Sequence, residues 1–214
     1  MPINPIEIQC PVKGTWSFLN PPGHHPDAKD FVAVDVKGKP YKAIYFAVHV
    51  LWKMKAAKVY AWESEVSAPF DGEIIAIENG CDDRESLNLV RDVVTGLLLA
   101  RKHDMNDTKF FFGNHVIMQS NYGIYALFAH LRKDSIKVKK GGKVKTGDII
   151  AAIGNSGNTI QPHLHFQLMK ENNPITSPPL PFVFSRFETK QQKTWKTRTK
   201  SLPRNRQVFH ISGK

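Results

Sequence analysis

Gly154-Asn155-Ser156-Gly157-Asn158-Thr159-Ile160-Gln161-Pro162-His163-Leu164-His165-Phe166 sets two histidines two residues apart in an apolar run, behind a Gly/Asn/Ser turn and a proline. A β-strand has a side-chain period of two, so His163 and His165 point from one face. Leu164, Phe166 and Leu168 point from the other and can anchor the strand in a core. The stretch therefore predicts a held strand presenting two imidazoles, which are preferred zinc ligands.

Two histidines do not complete such a site. A catalytic zinc usually takes three protein ligands and leaves one position for water. Further donors occur near the N-terminus, in Pro21-Pro22-Gly23-His24-His25-Pro26-Asp27-Ala28-Lys29-Asp30-Phe31-Val32-Ala33-Val34-Asp35. Another histidine ends the apolar run Ile124-Tyr125-Ala126-Leu127-Phe128-Ala129-His130-Leu131. His49, His103, His115 and His210 sit in no matching pattern.

Taken together these blocks resemble the lysostaphin-type (LytM-like) zinc endopeptidases, a family that cuts peptide bonds in bacterial peptidoglycan. The resemblance covers residues 21–169. It rests on the Gly154–Phe166 block, on Ala129-His130-Leu131, on Ala68-Pro69-Phe70-Asp71-Gly72-Glu73-Ile74, and on a His…Asp-Phe element upstream, all in order. Carried over residue by residue, it implies Zn2+ held by Asp30, His165 and either His24 or His25, with His24 preferred. Five residues separate His24 from Asp30, and four separate His25 from it, where the family's shortest form has three. Asp35 is a rival for Asp30, although Asp30-Phe31 fits the Asp-Phe pair better. His130 and His163 match the family's active-site histidines that do not bind metal. Imidazoles there would orient or deprotonate the attacking water and stabilise the oxyanion or leaving group. That is the work a glutamate does in His-Glu-x-x-His peptidases, a motif this chain lacks.

The fold expectation is all-β. Residues 65–70 and 73–77 flank Asp71-Gly72 as a hairpin, residues 114–119 and 123–130 pair around Asn121-Tyr122-Gly123, and residues 163–169 form the last strand. The resemblance adds an antiparallel sheet forming an open groove, a barrel- or sandwich-like scaffold with zinc at its floor. One inserted amphipathic helix is expected over residues 83–102, capped by Asp82 or Asp83, because Leu89, Val90, Val93, Val94, Leu97 and Leu98 recur at helical spacing. Residues 37–62 read as a second insertion that walls the groove. One folded unit spans 1–214, with a C-terminal wrap and basic extension from 172.

Thirty Lys and Arg against nineteen Asp and Glu leave a net charge of +11. No acidic residue follows Glu188, while Lys190, Lys193, Lys196, Arg198, Lys200, Arg204, Arg206 and Lys214 are basic. Such a tail can bind nucleic acid, anionic lipid or an anionic wall polymer, or stand as a solvated extension. No nucleic-acid motif accompanies it, so nucleic acid is not an expected partner. No apolar run approaches the ~20 residues of a membrane span. Met1-Pro2-Ile3-Asn4 lacks the pattern of a secretory signal. The resemblance implies a cell-envelope or extracellular site of action, with the cytoplasm left open. Cys10 and Cys81 are distant from each other and from every motif, which argues against a zinc role. The expected activity is zinc-dependent hydrolysis of peptidoglycan stems or cross-bridges. The alternative is a catalytically silent binding module on the same scaffold.

Overall fold

The computed structural model describes residues 4–20, 25–42, 45–100, 104, 106–191 and 194–213, with the backbone alone at 97, 99 and 100. In chain order its first strands are β1 (Ile6–Ile8), β2 (Gly14–Leu19), β3 (Lys29–Ala33), β4 (Met54–Lys55), β5 (Glu65–Ser67), β6 (Gly72–Glu78), β7 (Ser86–Leu87) and β8 (Asn114–Ser120). They are followed by β9 (Tyr125–Leu131), β10 (Lys143–Val144), β11 (Ile149–Ala152), β12 (Leu164–Met169), β13 (Pro179–Leu180), β14 (Phe182–Gln191), β15 (Thr194–Ser201) and β16 (Phe209–Ile211). Among the described residues three α-helices interrupt them, α1 (Tyr45–Leu51), α2 (Leu89–Ala100) and α3 (Thr108–Phe112), with a single 3-10 turn at Ala56–Lys58.

Among the described residues, twelve strands form one sheet, ordered β1-β14-β16-β2-β3-β12-β9-β8-β6-β10, with β13 on β12 and β15 on β14. Its pairs are antiparallel apart from β1 with β14, which run parallel. The β-rich expectation therefore holds, in a mixed sheet.

One face of the sheet is a core of stacked rings. Phe18 and Phe31 meet edge to face at 4.8 Å, Phe18 and Phe209 lie 5.0 Å apart, and Phe31 and Phe166 lie 6.0 Å apart. All four are fully buried or nearly so. Alternation along β12 gives Leu164, Phe166 and Leu168 to this core and turns His165 and Gln167 to the opposite face.

Several local expectations are corrected. The Asp71-Gly72 pair makes no hairpin between its flanking strands: β5 pairs with β11, and β6 pairs with β8 and β10. Gly72 is required for close approach instead, since a Cβ there would lie 2.1 Å from the Gln119 carbonyl oxygen of β8. The Asp71 carboxylate accepts from the backbone N–H and hydroxyl of Thr146 and from Lys145 Nζ, tying the β5–β6 corner to the turn before β11.

The inserted helix begins at Leu89, later than expected, with Asn88 as its cap: Asn88 Oδ1 accepts from the Arg91 N–H at 2.9 Å. Ser86 and Leu87 are drawn into a short pairing with β4. Asp83 is occupied elsewhere, accepting from the backbone N–H groups of Asn155 (2.6 Å) and Lys133 (2.8 Å). Strands continue past Met169. β14 and β16 extend the sheet from β2 to β1, and β15 adds the basic edge. Cys10 and Cys81 are free thiols.

Candidate active site

The cross-strand register of β3 and β12 places Asp30 directly opposite His165. Directly opposed residues are the closest side-chain neighbours a sheet offers. Asp30 Oδ1 lies 2.9 Å from His165 Nδ1 and 3.7 Å from His163 Nε2. All three side chains are buried.

His130 reaches the same place by a different route. Strict alternation on β9 would send it to the core with Ala126 and Phe128. Its backbone instead takes a left-handed φ of 60°, uncommon for a non-glycine residue, beside a register shift between β8 and β9. The following Leu131 returns to the core. The His130 ring is left facing His163 at 4.7 Å and His165 at 6.1 Å between centroids. A strained backbone held at such a position is a common mark of a working site.

Each histidine is oriented through its second nitrogen. His130 Nδ1 donates to the Ser156 carbonyl (2.9 Å) and His163 Nδ1 to the Gln161 carbonyl (2.8 Å). Both therefore turn Nε2 inward as the unprotonated nitrogen. Thr159 Oγ1 donates to the same Gln161 carbonyl at 2.8 Å and touches His163 Nδ1 at 3.1 Å. The Arg84 guanidinium donates to the Thr159 carbonyl. Ser156 Oγ donates to Leu131 O and accepts from the Asn114 N–H, so the Gly154–Phe166 turn is fastened to β8 and β9. At the same point Gly157 (φ 76°) lies against the backbone of Gly113 (φ 59°), where a Cβ on either residue would collide.

Electrostatics separate the histidines. Burial, followed by the charges of His163 and His165, pushes His130 well below the ordinary imidazole range, so it is neutral near pH 7. Burial also works against a proton on His165, but the hydrogen bond and charge of Asp30 and the Gln167 carbonyl outweigh it and raise its pKa.

The donor chemistry can be tested against a cation. Gln167 Nε2 donates to the Pro174 carbonyl (3.3 Å), which turns Oε1 toward His165 Nε2 at 3.2 Å. His165 thus meets an acceptor at each ring nitrogen, Gln167 on one side and Asp30 on the other. A neutral imidazole carries one N–H, so one contact needs a second proton or a cation. Asp30 and His165 would serve as ligands to a divalent ion, which would meet that need, and an N/O donor pair suits zinc. Among the described residues, no group of three His, Cys, Asp or Glu side chains is by itself arranged to hold an ion.

His24 lies outside the described residues. His25 is exposed, and its Nδ1 accepts from the Asp27 N–H at 3.2 Å. Asp35 serves a turn, accepting from the N–H groups of Lys37 and Lys39.

The four residues form the floor of an open cleft of about 760 Å³. Its walls are largely apolar and include Val93 and Gly96 of α2, Phe112 of α3, and Ile175. Among the described residues no side chain of the 37–62 segment lines it, so α2 takes the walling role expected of that segment. Sequence reading passed over Gln167, Thr159 and Phe112. Gln167 alone carried a signal, since it shares the strand face of His163 and His165 at the next step of two.

A buried imidazole–carboxylate pair lies beside two oriented histidines on a sheet floor under an open cleft, and this donor chemistry fits a metal-dependent hydrolase. The family model for peptidase family M23 matches residues 56–177, more than half of the chain. The chain belongs to peptidase family M23, a metallopeptidase family. The match contains His130, His163 and His165 and begins after Asp30. The chain is 32% identical over 98 residues to the peptidoglycan DD-endopeptidase ShyB of Vibrio cholerae, covering 46% of this chain and 21% of that protein. It is 37% identical over 81 residues to the glycyl-glycine endopeptidase ALE-1 of Staphylococcus capitis, covering 36% and 22%. The chain spans about a fifth of the length of these curated relatives. The catalytic domain of lysostaphin from Staphylococcus simulans aligns over 78% of this chain and 88% of that domain, with 18% identity and a TM-score of 0.42.

Proposed function

We propose that the chain is a zinc endopeptidase that hydrolyses peptide bonds in the stems or cross-bridges of peptidoglycan, acting in the cell envelope or outside the cell. One observation carries this reading: Asp30, His165, His163 and His130 come from three neighbouring strands to one cleft floor in a chain of the M23 family. The names of the relatives support peptidoglycan as the substrate class.

Asp30 and His165 would hold the ion, with His24 as third ligand and His25 as its alternative. Zinc, when bound, would polarise the scissile carbonyl and bring the pKa of a bound water to about 7. His163, whose Nδ1 proton is committed to Gln161, offers Nε2 as a lone pair that orients a water in the cleft and takes its proton. His130, neutral through burial and fixed on Ser156, presents the same nitrogen, with its ring 4.7 Å from that of His163. Once protonated at Nε2, either ring becomes a donor to the oxyanion or the departing amine.

The test is zinc-dependent clearing of a purified peptidoglycan suspension, with released fragments identified by mass. His163→Ala and His165→Ala should each stop release. A folded, zinc-loaded chain inert on walls of every cross-bridge type would refute the hydrolase reading and leave a binding module. Purification without stoichiometric zinc would point the same way.

A further inference from the structure

Eight large apolar side chains among the described residues are at least half exposed, and six of them sit together. Phe46 (61%), Leu51 (65%) and Trp52 (65%) belong to α1 and the residue after it; Val90 (57%), Val94 (50%) and Leu98 (56%) belong to α2. The two helices pack on each other. A concentration of this kind marks an interaction site, whereas scattered exposed residues would need no account.

The charge around the patch is predominantly positive. Residues 36–62 contain six lysines and no acidic residue. Lys42, Lys53, Lys55, Lys58 and Arg91 are all exposed, and Lys58 Nζ lies 5.6 Å over the Tyr45 ring of α1. Asp92 is buried against Arg91, which leaves Glu85 as the exposed carboxylate along the adjoining β4–β7 edge. The sequence directly after α2 runs Arg101-Lys102-His103.

We propose that the α1–α2 face docks on an anionic lipid bilayer. Aromatic and aliphatic side chains bordered by lysine describe a helix that lies in a membrane interface, where apolar groups enter the acyl boundary and lysines meet anionic headgroups. A protein partner fits less well, because lysine is depleted at protein interfaces. Neither helix, of 7 and 12 residues, is long enough to span a bilayer, so the contact is peripheral. α2 also lines the cleft through Val93 and Gly96, so docking brings the cleft to the bilayer surface. The inference is independent of whether the cleft hydrolyses peptides.

Flotation of the full chain with vesicles of phosphatidylglycerol and phosphatidylethanolamine, and with vesicles of phosphatidylcholine, tests it. The chain should float with the anionic vesicles at low salt and be released as salt rises. Leu51→Ser with Trp52→Ser should reduce partitioning at least about tenfold. Lys53→Gln with Lys55→Gln should reduce it about fivefold for each charge removed. Both pairs are exposed enough to leave the thermal melt unchanged, apart from Met54 between them, which is not altered. Three results would overturn the proposal. One is no flotation at low salt. Another is flotation indifferent to Leu51 and Trp52 but lost on Lys196→Gln with Arg198→Gln in β15. The third is a concentration-dependent dimer, broken by Trp52→Ser, in a chain that binds no vesicle.

Discussion

β12 and β15 are strands of one sheet with opposite fates. Every residue of β12 is buried, while seven of the eight residues of β15 are exposed and only Ser201 is partly covered. β12 is paired on one side with β9 from His165 to Met169 and on the other with β3 over Leu164 to Phe166 and β13 over Leu168 and Met169; β15 has β14 alone. The candidate site lies where neighbours on both sides determine each side chain, and the basic strand lies where one edge is held. The 2.9 Å approach of Asp30 to His165 follows from strand register, which a loop could not fix as closely. The lysines and arginine of β15 leave an open edge that resists pairing with another chain.

The contrast is sharpest for activity. His165→Ala should abolish both stoichiometric zinc and hydrolysis, measured by elemental analysis and fragment release. His163→Ala and His130→Ala should keep zinc but lower kcat by about a hundred- to ten-thousand-fold. Zinc retained by the His165 variant would break the assignment of β12 as the metal strand. For stability, Phe166→Ala should cost about 3–5 kcal/mol in urea unfolding, since the ring is fully buried among Phe31, Phe128 and Phe182. A loss under about 1 kcal/mol would mean that β12 is less tightly determined than its burial indicates.

β12 was legible because its signal is local: a period of two carries histidines to one face and Leu164, Phe166 and Leu168 to the other. The β8–β9 pair around Gly123 (φ 77°) was legible for the same reason. His130 is visible in the sequence as a histidine ending an apolar run, but its role comes from the resemblance, because period-two reading alone assigns it to the core. Its exit depends on a left-handed backbone that no residue type nearby announces. Asp71-Gly72 misled because a glycine needed for close approach to β8 looks identical to one needed for a turn. The helix start was misplaced because two aspartates suited to capping were committed to distant partners: Asp83 to Lys133 and Asn155, and Asp82 to Lys133 Nζ. β14 and β16 also pair with the N-terminal strands β1 and β2, as in Phe182 with Ile6 and Phe209 with Trp16, and such distant pairing leaves no local trace.

A smaller effect probes how far beyond β12 the determination extends. Thr159→Val keeps the shape but removes the hydroxyl that donates to the Gln161 carbonyl, the same acceptor that orients His163. About 1 kcal/mol of stability should be lost. Hydrolysis should fall about tenfold in kcat because the ring is loosened, with KM little changed because valine keeps the shape of Thr159 in the cleft wall. Thr159→Ser, which restores the donor, should recover most of the rate. If the valine variant is fully active, the turn is held by Ser156 and Arg84 without Thr159.

The smallest effect on stability belongs to β15. Lys196 and Arg198 are exposed, and their Cα partners on β14 are Thr189 and Phe187. No ion pair among the described residues engages either side chain. Lys196→Glu with Arg198→Glu should therefore change the unfolding free energy by no more than about 0.5 kcal/mol for each substitution. Adhesion to an anionic wall should still weaken, since net charge falls from +11 to +7 when two positive charges become negative. Hydrolysis of a small soluble peptide should be untouched and that of intact wall reduced, with the difference vanishing at high salt. Such a split would assign β15 to adhesion and β12 to chemistry within one sheet. Equal loss on both substrates would instead mean that the edge strand supports the cleft through β14, β16 and β2, and that the two regions are not independent.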